Sequence, residues 1–477
     1  MEALQRLHNR GSISTGYDVD YSLKFETDNT EYLMAEGRPQ GTQTTWTWSC
    51  WLKRTEVDNG SVAQYIFSAG SDGKTGIYFR DDASYPDDRI FIYVDEGNSL
   101  KWIGQVNQSF RDTAAWYHIV FAVDSTDGTA ADRTKIYVNG VQQTITFNAT
   151  LNQNVSTRVG DGGGKFSIGG KVANTGYGFN GYMAECVLVD GSALGPTSFG
   201  KFDDDSGIWK PKNVSGLSLG TAGFYMNFDD SSNVGAVQTG TSQGNFDKYN
   251  LTAADQATDT PTNNFCTMNM LNRTDGNSKT QEGGTKVTTD GGSGWCSMVA
   301  SMGVTKGKWY WETQRSGGSS DSNDVVTGIV GSEDIFIPYS PNAKYYIGNV
   351  ATSSSMGFYT TGVPNVRNGD GGSLSNSAGD IIMIGLDMDN GKLYFGINGT
   401  WDALGTGGST LHSSFDDQFV LPAVAVYQGK QIKINFGGYA SYTISSAETD
   451  ADGYGTFEYA VPTGYYALCT KNLEEYG

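Results

Sequence analysis

The sequence predicts an all-β protein, two tandem antiparallel β-sandwiches behind a short N-terminal arm, on three observations. The first is composition: 64 glycines, 27 tyrosines and 22 phenylalanines among 477 residues, with abundant Thr, Ser and Asn, suit short strands joined by tight turns. The second is a hairpin signature between Asp380 and Trp401, where two alternating apolar runs flank Asn390-Gly391 and a further pair, Asn398-Gly399, closes the segment. Asn-Gly between alternating runs is the strongest short-range hairpin signal. Ile382, Ile384, Leu386 and Met388 share one face, as do Leu393, Phe395 and Ile397, so one face is expected to be buried. A similar unit at His118 to Gln142 runs strand, acidic turn, strand and Asn139-Gly140. Length is the third observation, since 477 residues exceed one ordinary core and accommodate two sandwiches.

Charge and cysteine usage narrow the function. A formal net charge of −20 argues against nucleic acid and anionic membrane as partners, because phosphate binding needs clustered Lys and Arg. Met1 to Arg10 is polar rather than a secretory signal, and no apolar run approaches the roughly 20 residues of a membrane span. Synthesis in a cytoplasm is expected. The five cysteines, Cys50, Cys186, Cys266, Cys296 and Cys469, lack C-x-x-C spacing and read as reduced core thiols. The three histidines, His8, His118 and His412, lie near no cysteine or other histidine in sequence, which leaves zinc without a ligand set.

In chain order, residues 1–20 form the arm, in which Leu4 and Leu7 share a helical face and Arg6 and Arg10 stand beside them; these four are the expected particle-docking residues. Residues 21–228 are dense in strand-like runs split by Gly, Asp and Asn turns, the mark of an antiparallel sandwich rather than a βαβ fold. Residues 229–262 are polar, rich in Gly, Ser and Thr and poor in large apolar side chains, and read as a linker. Residues 263–477 form the second sandwich. Trp46, Trp48, Trp51, Trp309 and Trp311 sit in strand runs and are assigned to packing.

The opening SLKFETDNTEYL, the tryptophan-rich TWTWSCWLK, the WYHIVFAVD and KIYVNG pair and the late GYMAECVLVDG resemble the laminin-G-like, concanavalin A-like jelly-roll family over about Tyr21 to Asp230. GKWYWE at Gly307 to Glu312, the hairpin at Gly379 to Gly399, and Leu421 to Gly437 resemble the SPRY (B30.2-like) family in order and spacing. That resemblance implies a second concanavalin A-like sandwich that binds partners and has no catalytic chemistry as a class. GFYMNFDDSS, DTPTNNFCTMNML and the closing PTGYYALCTKNL resemble segments of structural proteins from tailed bacteriophages, marine ones in particular.

Glu26, Asp28 and Glu31 match E-x-D-x-x-E, the motif of laminarinase-type glycoside hydrolases with this fold, whose paired carboxylates line a sugar cleft. In those enzymes the intervening residues are apolar and buried. Thr27, Asn29 and Thr30 instead indicate a turn, and no other catalytic fingerprint occurs with credible flanks. Acidic turns at Asp81-Asp82, Asp87-Asp88, Asp161 and Asp203 to Asp205 offer oxygens to calcium, but none forms an EF-type loop and solvated turn acids are expected. No cofactor is therefore expected. For ligand contact the candidates are aromatics in loop-like, polar surroundings, Tyr85, Trp102, Tyr339, Tyr345 and Tyr346, since rings edged by amides and carboxylates suit sugar or protein surfaces.

The resemblances imply a non-enzymatic virion structural protein, a host-surface adhesin binding glycan or protein as part of a tail fibre or a head fibre. Other virion proteins would be its partners, and self-association, a trimer among the options, would follow from a symmetric site. The alternatives are a capsid decoration protein without a receptor and a glycan depolymerase resting on Glu26, Asp28 and Glu31. With no metal loop in the sequence, thermal melting is expected to be the same with and without EDTA.

Overall fold

The computed structural model describes residues 16–57, 63–70, 73–82, 85–96, 100–172, 176–240, 244–274, 278–289, 294–316, 325–333, 346–348, 357–359, 378–402, 408–411, 415, 417–427 and 429–477. The chain divides into two compact units, Met1–Asn263 and Asn264–Gly477. Leu4, Arg6, Leu7 and Arg10 lie outside the described residues.

The first unit opens with β1 (Ser22–Phe25), β2 (Tyr32–Ala35), β3 (Thr45–Arg54), β4 (Gln64–Ala69), β5 (Thr75–Asp82), β6 (Tyr85–Asp95) and β7 (Leu100–Ser109). It continues through β8 (Trp116–Asp124), β9 (Thr134–Val138), β10 (Val141–Gln142), β11 (Ile145–Phe147), β12 (Phe166–Ile168) and β13 (Gly181–Asp190). Short strands follow: β14 (Gly200–Phe202), β15 (Trp209–Pro211), β16 (Phe224–Met226), β17 (Thr239–Gly240), β18 (Asp247–Tyr249) and β19 (Gln256–Ala257). One sheet has the order β10-β9-β8-β3-β13-β1-β19, with β16 on β13 and β17 on β16, and the facing sheet has the order β11-β7-β6-β5-β4-β12-β2-β18. Along β3 the two-residue period sends Trp46, Trp48, Cys50 and Leu52 into the core between the sheets, where Trp46 meets Phe121 edge-on at 5.3 Å and Trp48 stacks on Phe67 at 5.5 Å. Burying each such ring is worth about 3 kcal/mol.

The opposite face of β3 is buried as well. Thr47 donates to the Ser192 carbonyl at 2.8 Å and accepts from the Leu194 amide at 2.7 Å. Ser49 contacts His118 Nε2 at 2.9 Å, and His118 Nδ1 accepts the Trp209 indole N–H at 2.9 Å. Because an indole nitrogen only donates, the proton of this imidazole sits on Nε2. Burial pushes the His118 pKa down to about 3, so the ring stays neutral. Val120, Val187, Val189, Phe199, Val214, Leu219 and Tyr225 form a second apolar layer over this sheet.

Residues 229–262 are part of this unit rather than a linker. Strand β17 extends the sheet through β16, β18 pairs with β2 and β19 pairs with β1. Val234, Phe246 and Leu251 enter the main core, and Tyr249 stacks on Tyr32 at 4.3 Å. Composition misleads here because edge pairing uses backbone groups, which any polar residue carries, and three well-spaced apolar residues suffice to plug the core. Asp259 anchors the end of the segment: its carboxylate takes Lys53 Nζ at 2.8 Å and the Trp116 indole at 3.0 Å, all three groups buried.

The second unit comprises β20 (Met268–Arg273), β21 (Ser278–Gln281), β22 (Lys286–Thr289), β23 (Trp295–Ala300), β24 (Lys308–Ser316) and β25 (Val325–Gly331). After β26 (Tyr346–Gly348) and β27 (Gly357–Tyr359) come β28 (Ile381–Asp387), β29 (Lys392–Ile397), β30 (Thr400–Asp402) and β31 (Ser409–Thr410). It ends with β32 (Val420–Tyr427), β33 (Gln431–Asn435), β34 (Tyr466–Ala467) and a helix, α1 (Thr470–Tyr476). The sheets have the orders β20-β23-β32-β25-β26-β27 and β21-β22-β33-β24-β28-β29-β30.

The hairpin of β28 and β29 is in the expected register, Ile384 opposite Phe395 and Leu386 opposite Leu393. Ile382, Ile384, Leu386, Leu393, Phe395 and Ile397 face the core. The expectation of a single buried face is too small, because Met383 and Tyr394 on the other face pack with Tyr310, Phe457 and Tyr465. The covering segment is held by two buried carboxylates. Glu312 accepts the hydroxyls of Tyr310 and Tyr442, each at 2.8 Å, and the amides of Glu458 and Tyr459 at 3.1 and 2.9 Å. Asp450 accepts the Ala467 amide at 3.0 Å and Asn472 Nδ2 at 2.7 Å.

Asn398-Gly399, with φ of +47° and +84°, and Asn139-Gly140, with +47° and +81°, make the two tight turns. Both central residues adopt the left-handed conformation that Asn and Gly tolerate best. The two asparagines also act alike. Asn398 Oδ1 accepts the Ile381 amide while its own amide donates to the Ile381 carbonyl. Asn139 does the same with His118.

Replacing Asp259 by Ala in the full chain is expected to destabilise the first sandwich by about 3–5 kcal/mol, because Lys53 is left buried without its counter-charge. Urea denaturation followed by tryptophan fluorescence measures this. An unchanged midpoint would return residues 229–262 to the status of a linker.

Candidate functional site

On the outer face of the β7-β6-β5-β4 sheet the two-residue period turns aromatic side chains away from the core. Tyr65, Tyr78 and Phe91 are cross-strand neighbours in register on β4, β5 and β6, and Tyr93 lies opposite Trp102 of β7. The rings form a continuous shelf: Tyr65 to Tyr78 at 4.5 Å, Tyr78 to Tyr93 at 5.9 Å, Phe91 to Trp102 at 6.3 Å and Tyr93 to Trp102 at 6.5 Å between centroids, all stacked. Gly76 is needed beneath it, since a Cβ there would stand 2.9 Å from the Tyr65 ring. From beyond β12, Tyr177 tilts against Tyr65 at 6.1 Å, and Lys171 Nζ lies 5.4 Å from the centroids of both rings.

A cavity of about 340 Å³ opens over this shelf, lined by Ala63, Tyr65, Gly73, Lys74, Tyr78, Arg80, Tyr93, Lys171 and Tyr177. Burial pushes the Tyr65 and Tyr78 phenols above their usual range, so they remain protonated hydroxyls able to donate and accept. Flat apolar rings edged by hydroxyls and cations can stack on the C–H face of a sugar or on a planar side chain and hydrogen-bond its rim. Among the described lining residues there is no Asp or Glu.

Of the five aromatics expected from sequence, Trp102 closes one end of this shelf, half-buried on a strand rather than in a loop. Tyr85 opens β6 opposite Asp82, and Tyr346 opens β26 opposite Tyr359; both backbones belong to strands and their side chains lie outside the described residues, as do Tyr339 and Tyr345. The shelf residues Tyr65, Tyr78, Phe91, Tyr93 and Tyr177 were not anticipated. Their signal is present in GIYFRDD, where Tyr78 and Phe79 fall on opposite faces, and in RIFIYVD, where Phe91 and Tyr93 share the face opposite Ile90, Ile92 and Val94.

The E-x-D-x-x-E match is a turn. Residues 27–30 connect β1 of one sheet to β2 of the other, with Thr30 at φ +58°. Glu31 is buried against Lys24 at 2.9 Å, and Lys24 also pairs with Asp255 at 2.9 Å. Burial raises Glu31 to about 7, but a carboxyl engaged by a buried lysine does not line a sugar cleft. Of the acidic residues expected in turns, Asp88 pairs with Arg54 at 2.8 Å, Asp161 with Arg158 at 2.7 Å and Asp203 with Lys210 at 3.1 Å, while the side chains of Asp81, Asp82 and Asp87 lie outside the described residues. Among the described residues no group of three or more His, Cys, Asp or Glu side chains could hold a metal ion. Asp387 and Asp389, at the turn of the second-unit hairpin, brace it, bonding Asn390 and the Gly307 amide.

A second buried polar centre lies on β13, where the pairing with β3 is interrupted between Ala184 and Val187. Glu185 adopts φ +53° there and accepts the hydroxyls of Tyr17, at 2.7 Å, and Tyr225, at 2.9 Å. The last residues of the expected arm therefore run along the sandwich, and Val19 adds a bond from its amide to Thr262 Oγ1 at 2.9 Å. Burial raises the Glu185 carboxyl to about 7.

Comparisons with known proteins follow the same division. Residues 27–197 match the concanavalin A-like lectin/glucanases superfamily (laminin G type 3), and residues 289–439 match the SPRY domain. The matches thus give a concanavalin A-like region followed by a SPRY region, in the order of the two sandwiches. Among solved structures it is similar to the SPRY domain of human HERC1 at 20% identity, covering 35% of this chain and 96% of that one, with a TM-score of 0.26. It is also similar to a heptameric SAP-like pentraxin from Limulus polyphemus at 16% identity, with 37% and 79% covered and a TM-score of 0.28. A Bacteroides ovatus protein assigned to carbohydrate binding shares 19% identity over 49% of this chain and 58% of its own, with a TM-score of 0.34. No curated protein sequence matches the chain. No helix among the described residues is long and apolar enough to cross a membrane.

A folded-state pKa raised above 4.5 means that Glu185 favours folding while it is protonated and loses that advantage as pH rises through about 7. The stability of the wild-type relative to Glu185→Gln is therefore expected to fall by on the order of 3 kcal/mol from about pH 4 to about pH 8. Denaturant titrations of the two proteins across this range measure the difference.

Proposed function

We propose that the protein is a non-enzymatic virion structural protein that binds a host-surface glycan through the aromatic shelf of its first sandwich, as part of a tail or head fibre. The observation that carries the binding reading is the shelf itself: stacked rings on the outer face of a lectin-type sheet, beneath a cavity whose described lining residues include no Asp or Glu. The engagement of Glu31 with Lys24 supports a binder over a depolymerase. The virion assignment rests on the resemblance of Gly223 to Ser232, Asp259 to Leu271 and Pro462 to Leu473 to segments of bacteriophage structural proteins. In such a particle the arm would attach to other virion proteins. Weak contacts repeated over many copies would supply adhesion by avidity.

Tyr93 and Tyr177 are half-buried and can be shortened without opening the core. Tyr93→Ala and Tyr177→Ala are each expected to weaken glycan binding about tenfold, the loss of a stacking contact, with little change in melting temperature. A glycan array followed by titration of the best binder measures this. Binding to glycans unaffected by either substitution would move the site elsewhere, and no glycan binding at all would overturn the reading.

A further inference from the structure

The charges around the shelf run against those of the whole protein. The chain carries 52 Asp and Glu against 32 Lys and Arg, yet the described residues that line this cavity include Lys74, Arg80 and Lys171 and no Asp or Glu. Acidic side chains outnumber basic ones overall, so the described lining runs against the balance of the chain. The ammonium of Lys171 is held between the rings of Tyr65 and Tyr177, and among the described residues it has no carboxylate partner. Arg80, two residues along β5 from Tyr78, reaches over the Phe91 ring at 5.8 Å. Cations held against aromatic faces at the edge of a stacking platform are placed to meet an anion whose apolar part lies on the rings.

We propose that the ligand of this site is an acidic saccharide, a segment of a glycan bearing carboxylate or sulfate groups. This rests on the glycan-binding reading above and adds its chemical class. A neutral sugar would use the tyrosine faces and hydroxyls but make no use of the Lys171 charge. A sugar carrying an anion at its ring edge uses both, stacking its C–H face on Tyr65 or Tyr177 and placing the anion at the Lys171 ammonium. A cavity of about 340 Å³ is at the lower end of the roughly 300–1,000 Å³ of small-ligand sites, which suits a short stretch of a polysaccharide. Nucleic acid, the other common polyanion, is disfavoured because a long phosphate backbone would cross the acidic surface of a protein with net charge −20.

The test titrates the full-length protein with oligosaccharides in three arms: polyuronate fragments, sulfated galactan fragments, and neutral β-glucan fragments of similar length. The expected result is binding of a uronate or sulfated arm at least about tenfold tighter than the neutral arm, weakening as salt is raised. Lys171→Gln is expected to lower affinity for the acidic arm about tenfold with melting unchanged, and Lys171→Arg to retain most of it. Which acidic arm binds identifies the anion. Equal binding of neutral and acidic arms, with no effect of salt or of Lys171→Gln, would overturn the acidic class and leave the glycan reading standing. Binding of none of the saccharides, or of an acidic peptide alone, would overturn both. Should Lys171→Gln fail to fold, the three arms and the salt dependence of the wild-type protein still decide.

Discussion

The outer face of β3 has no access to water, and the first sandwich is arranged around that constraint. Thr47, Ser49, Trp51 and Lys53 point away from the core, yet all four are buried. A polar group taken out of water without a partner costs more than most contacts return, and a charge costs far more. Each is therefore met by chain that comes after β13 or by His118: Thr47 by residues 192–194, Ser49 by His118 and through it Trp209, and Lys53 by Asp259. Trp51 stacks on His118 at 4.7 Å. The segment following β13 lies over this sheet, and the outer face of β4 to β7 carries the ring shelf and its cavity. The covered face and the face with the ring shelf are separated by where the covering chain goes.

The second sandwich solves the same problem with carboxylates. Glu312 stands on the outward face of β24 between Trp309 and Trp311, which face the core, and Thr313. It accepts the Tyr310 hydroxyl from its own strand and the Tyr442 hydroxyl and two backbone amides from the covering segment, while Asp450 ties that segment to the residues around β34 and α1. In both units a buried acid on or near one sheet organises the chain that returns over it. The Asn-Gly turns are a further shared device: an asparagine at φ +47° bonds back to the start of the neighbouring strand in each unit. The likeness of the two units thus extends to the chemistry of their turns.

The shelf is a patch of aromatic rings on the outer face of a sheet. Its rings are locked by neighbours on adjacent strands, so little conformational entropy remains to be lost on contact. At its edge the Lys171 ammonium lies against the rings of Tyr65 and Tyr177.

Much of this was readable from residue order alone. Alternating apolar runs and Asn-Gly pairs determined the strands, the β28–β29 hairpin and its register, and the packing of Trp46, Trp48, Trp51, Trp309 and Trp311, because period and turn chemistry are local properties of the chain. Trp102 was picked out through its polar neighbours, although as a loop residue. Only the tertiary structure decided that residues 229–262 belong to the first sandwich, that both faces of the second-unit hairpin are covered, and that Tyr65, Tyr78, Tyr93, Tyr177 and Lys171 meet at one cavity. Those facts depend on which backbone edge, which outer face and which distant loop come together. Non-local pairing of this kind is set by desolvation and packing across the whole domain, and no window of sequence contains it.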